Sequence, residues 1–394
     1  MDEKIEASLM LASYFETLGF KNGLWEFNYN HNVLTFDNYN FIWSTMLYQF
    51  TVLGGSSNIN IKNWNSSDDT ILILATANAI LILATANANL ILATSNALIS
   101  MEDIQDKYIK QYIESYDLLN NEKRISGTNT LFMINLLKKG YKLNNLPSKS
   151  NMGGNGAAMR TGPIGLYYHR DYDRVIEESM IASRLTHNYY LGFMGGVITA
   201  LFTAFAINNI PPWKWIDELF KLYDIIKKYY PKNHKMSYLE EYMDYWKKYN
   251  ESVVKKIKHK NELDMFLYPK FRISYLLTYH PNYNQETIDT LKFDWSKIGA
   301  TGLDVCIYAY DCLLLSMYTP NENLLNFDNI KYNINTFMSL VCIHPGDNDT
   351  TAAIGGTWYG ALNGYDNFDK SRLLELEFYE SLKKVSKLLT TTFH

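Results

Sequence analysis

Two short acidic clusters, Ser67-Asp68-Asp69-Thr70 and Gly346-Asp347-Asn348-Asp349-Thr350-Thr351, each run straight into a stretch of small and apolar residues, Ile71 to Ala79 and Ala352 to Leu362. Such stretches read as helices, so both clusters are expected at helix N-termini, where the positive end of the peptide dipole favours acids. An Asp pair in that place is ordinarily only a cap. Together, however, the clusters offer four carboxylates and several hydroxyls, the hard oxygen set that magnesium or calcium prefers, and they can share an ion only if the fold closes a gap of roughly 280 residues. The two helix starts are therefore expected to meet.

The rest of the chain is patterned for helices. Ile5 to Leu18, Asp103 to Leu119, Tyr172 to Leu185, Tyr190 to Ile207, Trp213 to Tyr230, Leu239 to Ile257, Gly302 to Tyr318 and Ser371 to Leu389 all carry apolar residues at three- and four-residue spacing. Pro211-Pro212 suits the start of the helix after it. Few segments alternate with period two, so the expected class is all-α. Asn-, Ser- and Gly-rich loops fall at Gly54 to Asp69, Leu143 to Gly156 and Lys297 to Gly302, and no linker divides the chain, so residues 1–394 are read as one domain.

Residues 71–97 hold a tandem nonapeptide: Ile71-Leu-Ile-Leu-Ala-Thr-Ala-Asn-Ala79, an identical copy at 80–88, and a near copy from Asn89 to Ala97. Nine residues advance a helix by about two and a half turns and reverse its face, whereas 18 advance it by about five turns and restore it. A double insertion thus keeps the downstream chain in register. Recurrent Thr and Asn make a lipid span costly, so a lengthened helix, buried at one end and projecting at the other, is expected.

Composition narrows the function. With 37 Lys plus Arg against 41 Asp plus Glu, the net charge of −4 supplies no basic surplus for nucleic acid and no polybasic tract for a membrane. Met1-Asp2-Glu3-Lys4 lacks the basic region of a secretory signal, and Cys306, Cys312 and Cys342 are too few for a disulfide framework; both point to the cytoplasm. Cys342 and His344 have no second pair to complete a zinc site. The 31 Tyr are spread along the whole chain, so aromatic interleaving carries no message about ligands.

Between the acidic clusters lies Asn151-Met-Gly-Gly-Asn-Gly-Ala-Ala-Met-Arg160, then Thr161-Gly-Pro-Ile-Gly-Leu166. Its unshielded backbone amides could hold a diphosphate at a helix start. It is no dinucleotide fingerprint, since Met159 stands where the third Gly or Ala belongs, and no P-loop, since Gly-Lys-Ser/Thr is missing.

In this order the three motifs resemble those of the ADP-ribosylglycohydrolase family. Leu18-Gly19-Phe20-x-Asn22-Gly23-x-Trp25-Glu26-Phe27 and Ala309-Tyr310-Asp311 are similar to the ADP-ribosylarginine hydrolase branch, and the likeness runs from about residue 5 to 365, broken mainly by the nonapeptides. The resemblance implies a single compact, orthogonal multi-helix domain around a central cleft with two magnesium ions. Carried over, it implies Ser67, Asp68, Asp69, Asp347, Asp349 and Thr350 as metal ligands, with Asp68 or Asp69 helping a water attack the anomeric carbon and Glu26 beside the scissile bond. The loop Gly153, Gly154, Asn155 and Gly156, together with Met159, would take the diphosphate of ADP-ribose. Lys297 to Leu303 stands where the family has a Gly-rich loop before Asp304, implying adenosine-side contacts by Thr301 and Gly302. Trp295 is a candidate stacking surface, although core is the commoner role of Trp. One departure is in the first helix, where the family's Gly-Asp is replaced by Phe15-Glu16, a bulky ring in place of a small packing contact.

The function so implied is magnesium-dependent hydrolysis of the N-glycosidic bond between ADP-ribose and a protein side chain, arginine above all. ADP-ribosylated protein and ADP-ribose would be the partners, and a monomer is expected. The alternatives are a catalytically inactive relative that binds ADP-ribose or a partner protein, and a hydrolase of another ADP-ribosyl linkage.

Overall fold

The computed structural model describes residues 1–28, 36–92, 100–255, 297–317 and 332–391, with Leu276, Thr278, Tyr279 and Pro281 as isolated positions. The longer helices are α1 (Asp2–Phe20), α2 (Phe36–Val52), α3 (Asp68–Leu92), α4 (Met101–Glu114), α5 (Thr128–Lys138), α6 (Tyr172–Arg184), α7 (Tyr190–Ile207), α8 (Met236–Tyr249), α9 (Asp304–Ser316), α10 (Ile334–Cys342), α11 (Asn348–Asn363) and α12 (Tyr379–Thr391). Among the described residues there is no strand, only an isolated bridge between Gly154 and Thr301, so the protein is all-α as expected.

Helices with no polar face form the centre. All 18 residues of α7 are buried, as a sequence apolar on every side requires. Both α7 and the segment Asp68–Thr85 are long and apolar enough to cross a membrane, but protein covers all of the first and 72% of the second. Helix α1 is buried from Ala7 to Phe20 and lies directly against α11. Small residues allow that approach: a Cβ on Gly356 would stand 2.5 Å from the Leu11 carbonyl oxygen, and one on Gly360 2.5 Å from Ala7 backbone. Ser8 Oγ adds a bond to the Thr357 carbonyl at 2.7 Å.

This packing brings the two acidic helix starts together. The last turns of α1 touch both: Glu16 Oε2 accepts from the Ser67 amide at 3.0 Å, and a Cβ on Gly19 would lie 2.9 Å from the Asn348 carbonyl oxygen. The Phe15 ring, unexpected beside Glu16, sits in an aromatic pocket with Tyr14, Phe337 and Phe368 at centroid distances of 5.9, 5.8 and 6.2 Å.

The nonapeptides continue α3 without a break through two copies to Leu92, while residues 93–97 lie outside the described residues. Burial runs to Leu83 and Ala84, Thr85 is exposed, and the polar Thr76 meets the Tyr112 hydroxyl at 3.2 Å. Elsewhere the expected helices are shorter. Trp213 to Tyr230 is three pieces, Pro212–Lys214, Trp215–Lys221 and Tyr223–Tyr229. The stretch from Ser371 begins with the 3-10 turn Lys370–Glu375, started by the Asp369 side chain, before α12. Helix α8 passes into a π-turn, Asn250–Val254, and the expected ends at Ile257 and, for α9, Tyr318 lie outside the described residues.

Candidate functional site

At the start of α3 the cap is Ser67, whose Oγ accepts from the Asp69 amide at 3.2 Å. Asp68 and Asp69 are thereby released from capping. Helix α11 starts without a side-chain cap: Thr351 bonds the Asp347 carbonyl through its amide at 3.2 Å and its hydroxyl at 2.6 Å. The Asp347 carboxylate instead accepts from Asn155 Nδ2 at 2.7 Å. Capping therefore does not explain these acids.

One oxygen each from Glu26, Asp347 and Asp349 lies within 4.8 Å of the others. Glu26 reaches them from the tight turn Glu26–Asn28, where Phe27 has φ +48° and donates its amide to the Gly346 carbonyl at 2.8 Å. Asp68 and Asp69 stand outside that triad, yet near enough for their charges to act on Glu26. Burial and then the charges of Asp349, Asp347, Asp68 and Asp69 push the Glu26 carboxyl well above its usual range. Asp69 is driven up by burial, Asp349, Asp68 and Glu16, and Asp347 by burial and Asp349. Burial foremost raises Asp68 and Asp349 to about 7.

Among the described residues, Glu26 Oε2, both oxygens of Asp69, Asp347 Oδ1 and Asp349 Oδ1 are buried with no hydrogen-bond donor. Buried acceptors that repel one another and have no donor fit a cation. With Ser67 and Thr350 also buried beside them, the donor set is all oxygen, the chemistry of a hard divalent ion and not of zinc held by thiolate and imidazole.

The glycine loop adjoins this pocket. Asn155 Nδ2 bridges the Gly299 carbonyl at 2.6 Å and Asp347, and the Gly153 carbonyl accepts from the Gly302 amide at 3.1 Å. Among the described residues, the amides of Gly156 and Ala157 donate no bond within the protein, whereas those of Ala158 and Met159 return to the Asn155 carbonyl and the Gly154–Asn155 stretch is engaged in the bridge to Thr301. Met159 is core. Gly302 is buried with its amide engaged, and Thr301 bonds Asp304 through amide and hydroxyl, so this loop is tied first to itself and to Gly153. Trp295 lies outside the described residues.

The smallness of Gly156 has a different cause from the one its motif suggests. A Cβ there would stand 2.6 Å from the His187 ring, so the position is set by packing from behind the loop. Burial and then the Arg160 charge push His187 down to about 3, keeping the ring neutral, with Nδ1 2.9 Å from Thr186 Oγ1. Arg160, fully buried, ties the loop through the Gly156 carbonyl, the Ala182 carbonyl at 3.1 Å and Thr186 Oγ1 at 2.6 Å. Sequence reading passed over His187, which has no motif of its own, and named Glu16 only as a departure, though its carboxylate holds the Ser67 amide.

Comparison with known proteins shows the family and the fold. The family description ADP-ribosylglycohydrolase matches residues 43–393. The "ADP-ribosylhydrolase ARH1" of Dictyostelium discoideum is 30% identical over 98% of this chain and 93% of its own length. A "Putative ADP-ribosyl glycohydrolase" of Acanthamoeba polyphaga mimivirus is 30% identical over 96% of this chain and 68% of its own. A solved "ADP-ribosylglycohydrolase-related protein complex" shares the fold with a TM-score of 0.54, at 14% identity over 99% of each chain. The chain is a hydrolase of the ADP-ribosylglycohydrolase family.

Proposed function

We propose that this hydrolase removes ADP-ribose from arginine side chains of proteins and depends on magnesium. The observation that carries the metal is the set of buried carboxylate oxygens of Glu26, Asp69, Asp347 and Asp349 without donors. Ser67, Asp68, Asp69, Asp347, Asp349 and Thr350 would hold two ions, with Glu26 at their edge. When bound, magnesium supplies fixed positive charge that holds ribose hydroxyls and makes a nearby water more acidic. The free amides of Gly156 and Ala157 receive the diphosphate, next to Asn155, which spans loop and acid pocket. As the anomeric C–N bond breaks and the carbon gains oxocarbenium character, water adds to it and gives a proton to Asp69, or Asp68 beside it, while the arginine guanidine leaves with the bonding pair and takes up that proton. Glu26 faces the scissile bond.

The arginine linkage rests on the segment from Leu18 to Phe27 and on Ala309-Tyr310-Asp311, which resemble the arginine-specific branch. The buried thiols of Cys306, Cys312 and Cys342, none of them in a disulfide, suit the reducing cytoplasm that we propose for it. Release of free ADP-ribose from arginine-, serine- and acid-linked proteins, with magnesium and with chelator, tests the proposal. Release from arginine alone, lost in chelator, supports it. Release from another linkage overturns the substrate, and tight ADP-ribose binding with no release under any condition favours the inactive binder.

A further inference from the structure

The residues just before the acidic pair of α3 are held from two sides by side chains that belong to distant parts of the chain. On one side the Ser66 amide donates to Glu377 Oε2 at 3.1 Å, and the Ser66 carbonyl accepts from an Arg124 terminal nitrogen at 2.7 Å. Arg124 and Glu377 are themselves joined by two parallel bonds of 2.6 Å each. On the other side Glu16 of α1, fully buried, accepts from the Ser67 amide at 3.0 Å and from the Thr70 hydroxyl, while Thr17 Oγ1 meets Ser66 Oγ at 3.0 Å. Gly127, three residues beyond Arg124, turns its amide to the Asp68 carboxylate.

We propose that Glu16 and the Arg124–Glu377 pair are positioning residues that aim Asp68 and Asp69 into the acidic pocket and so set its affinity for a divalent cation. The proposal rests on the metal reading above. An ion tolerates ligand positions within about 0.2 Å, so an anchor one or two residues upstream of two ligands governs them both. A bidentate arginine–carboxylate fork fixes orientation as well as distance, which a lone lysine contact would not. Such a pair, with Arg124 only 6% exposed, adds little to stability by itself, so its geometry is the better account of its place here.

The test is manganese titration of the purified full chain by calorimetry, beside a melting curve. Glu16→Gln keeps the volume but turns an amide nitrogen toward one of two donors; it should weaken manganese binding about tenfold or more with the melting temperature unchanged. The single variant Arg124→Glu should lose both affinity and melting temperature. The swapped pair, Arg124→Glu with Glu377→Arg, restores an ion pair but reverses its polarity at both backbone groups of Ser66. It should regain the melting temperature and not the affinity. Wild-type affinity in Glu16→Gln, or affinity that returns with the melting temperature in the swapped pair, would overturn the clamp. Absence of manganese binding by the wild-type chain would instead overturn the metal reading on which it rests.

Discussion

At the start of α3 the backbone of Ser66 and Ser67 is gripped by ionisable side chains from three remote segments, through Glu16, Arg124 and Glu377. At the start of α11 the grip is neutral, part of it local and part of it from distant segments. Asn348 Nδ2 donates to the Cys342 carbonyl at 2.9 Å, the Gly346 amide to His344 Nδ1 at 3.2 Å, the Asp347 amide to the Ile298 carbonyl at 2.8 Å, and Asn155 holds the Asp347 carboxylate. Two clusters of similar residues thus reach one pocket by different means. The first depends on charged groups that only the finished fold assembles, the second on neutral groups, some from its own turn and some, as Ile298 and Asn155, from remote segments.

The largest effect should come from removing an acid at either start. Asp69→Ala and Asp349→Ala should each lower hydrolysis by more than the ~100-fold typical of an outer partner of a metal site, and to a similar degree, because both starts serve one pocket. In the metal-free chain each variant should melt no lower than wild type, since a buried repelling charge is gone. A large drop in one and not the other would break the symmetry between the two starts. Asn155→Ala should act more weakly. It removes the donor that holds Asp347 and should reduce manganese affinity about tenfold, a loss of the order expected for an outer-shell partner.

Acidity sharpens the contrast further. Burial foremost holds Glu16, Asp68 and Asp349 at about 7, above the values near 4 of an unfolded chain. A group raised in the folded state contributes stability that is present in full below the unfolded value and lost as pH rises through the folded one. The metal-free protein should therefore lose stability between about pH 4 and pH 7. Two of these three groups belong to the α3 start and its anchor, and the Asp68 charge helps to raise Glu16, so Asp68→Asn should flatten the pH slope of stability less in the background of Glu16→Gln than alone, because their repulsion is then already gone.

Much of this arrangement can be read from the chain, and the remainder escapes for physical reasons. The bounds of α7 match the expected Tyr190 to Ile207, because an unbroken apolar run between polar neighbours marks both ends. The acidic clusters fall at helix starts as the small residues after them imply. Helices α2, α5 and α10 escape the reading: α2 mixes aromatic and polar side chains without a clean apolar stripe, and α5 and α10 are short. The breaks inside Trp213 to Tyr230 carry no Gly or Pro, and Leu222 leaves helical geometry at φ −93°, ψ 6° with nothing local to announce it. Arg124 and Glu377 are 253 residues apart, and no spacing rule pairs them. Only folding shows that Gly156 is small for the sake of His187.

The central claim is that the acids of the two helix starts form one pocket completed by a divalent cation. Melting curves of wild type and Asp349→Ala, with magnesium and with chelator, address it most directly, because a ligand that binds only the folded chain raises its melting temperature. Magnesium should raise the wild-type midpoint and leave that of Asp349→Ala where chelator puts it. An unchanged wild-type midpoint, or an equal rise in the variant, would contradict the account.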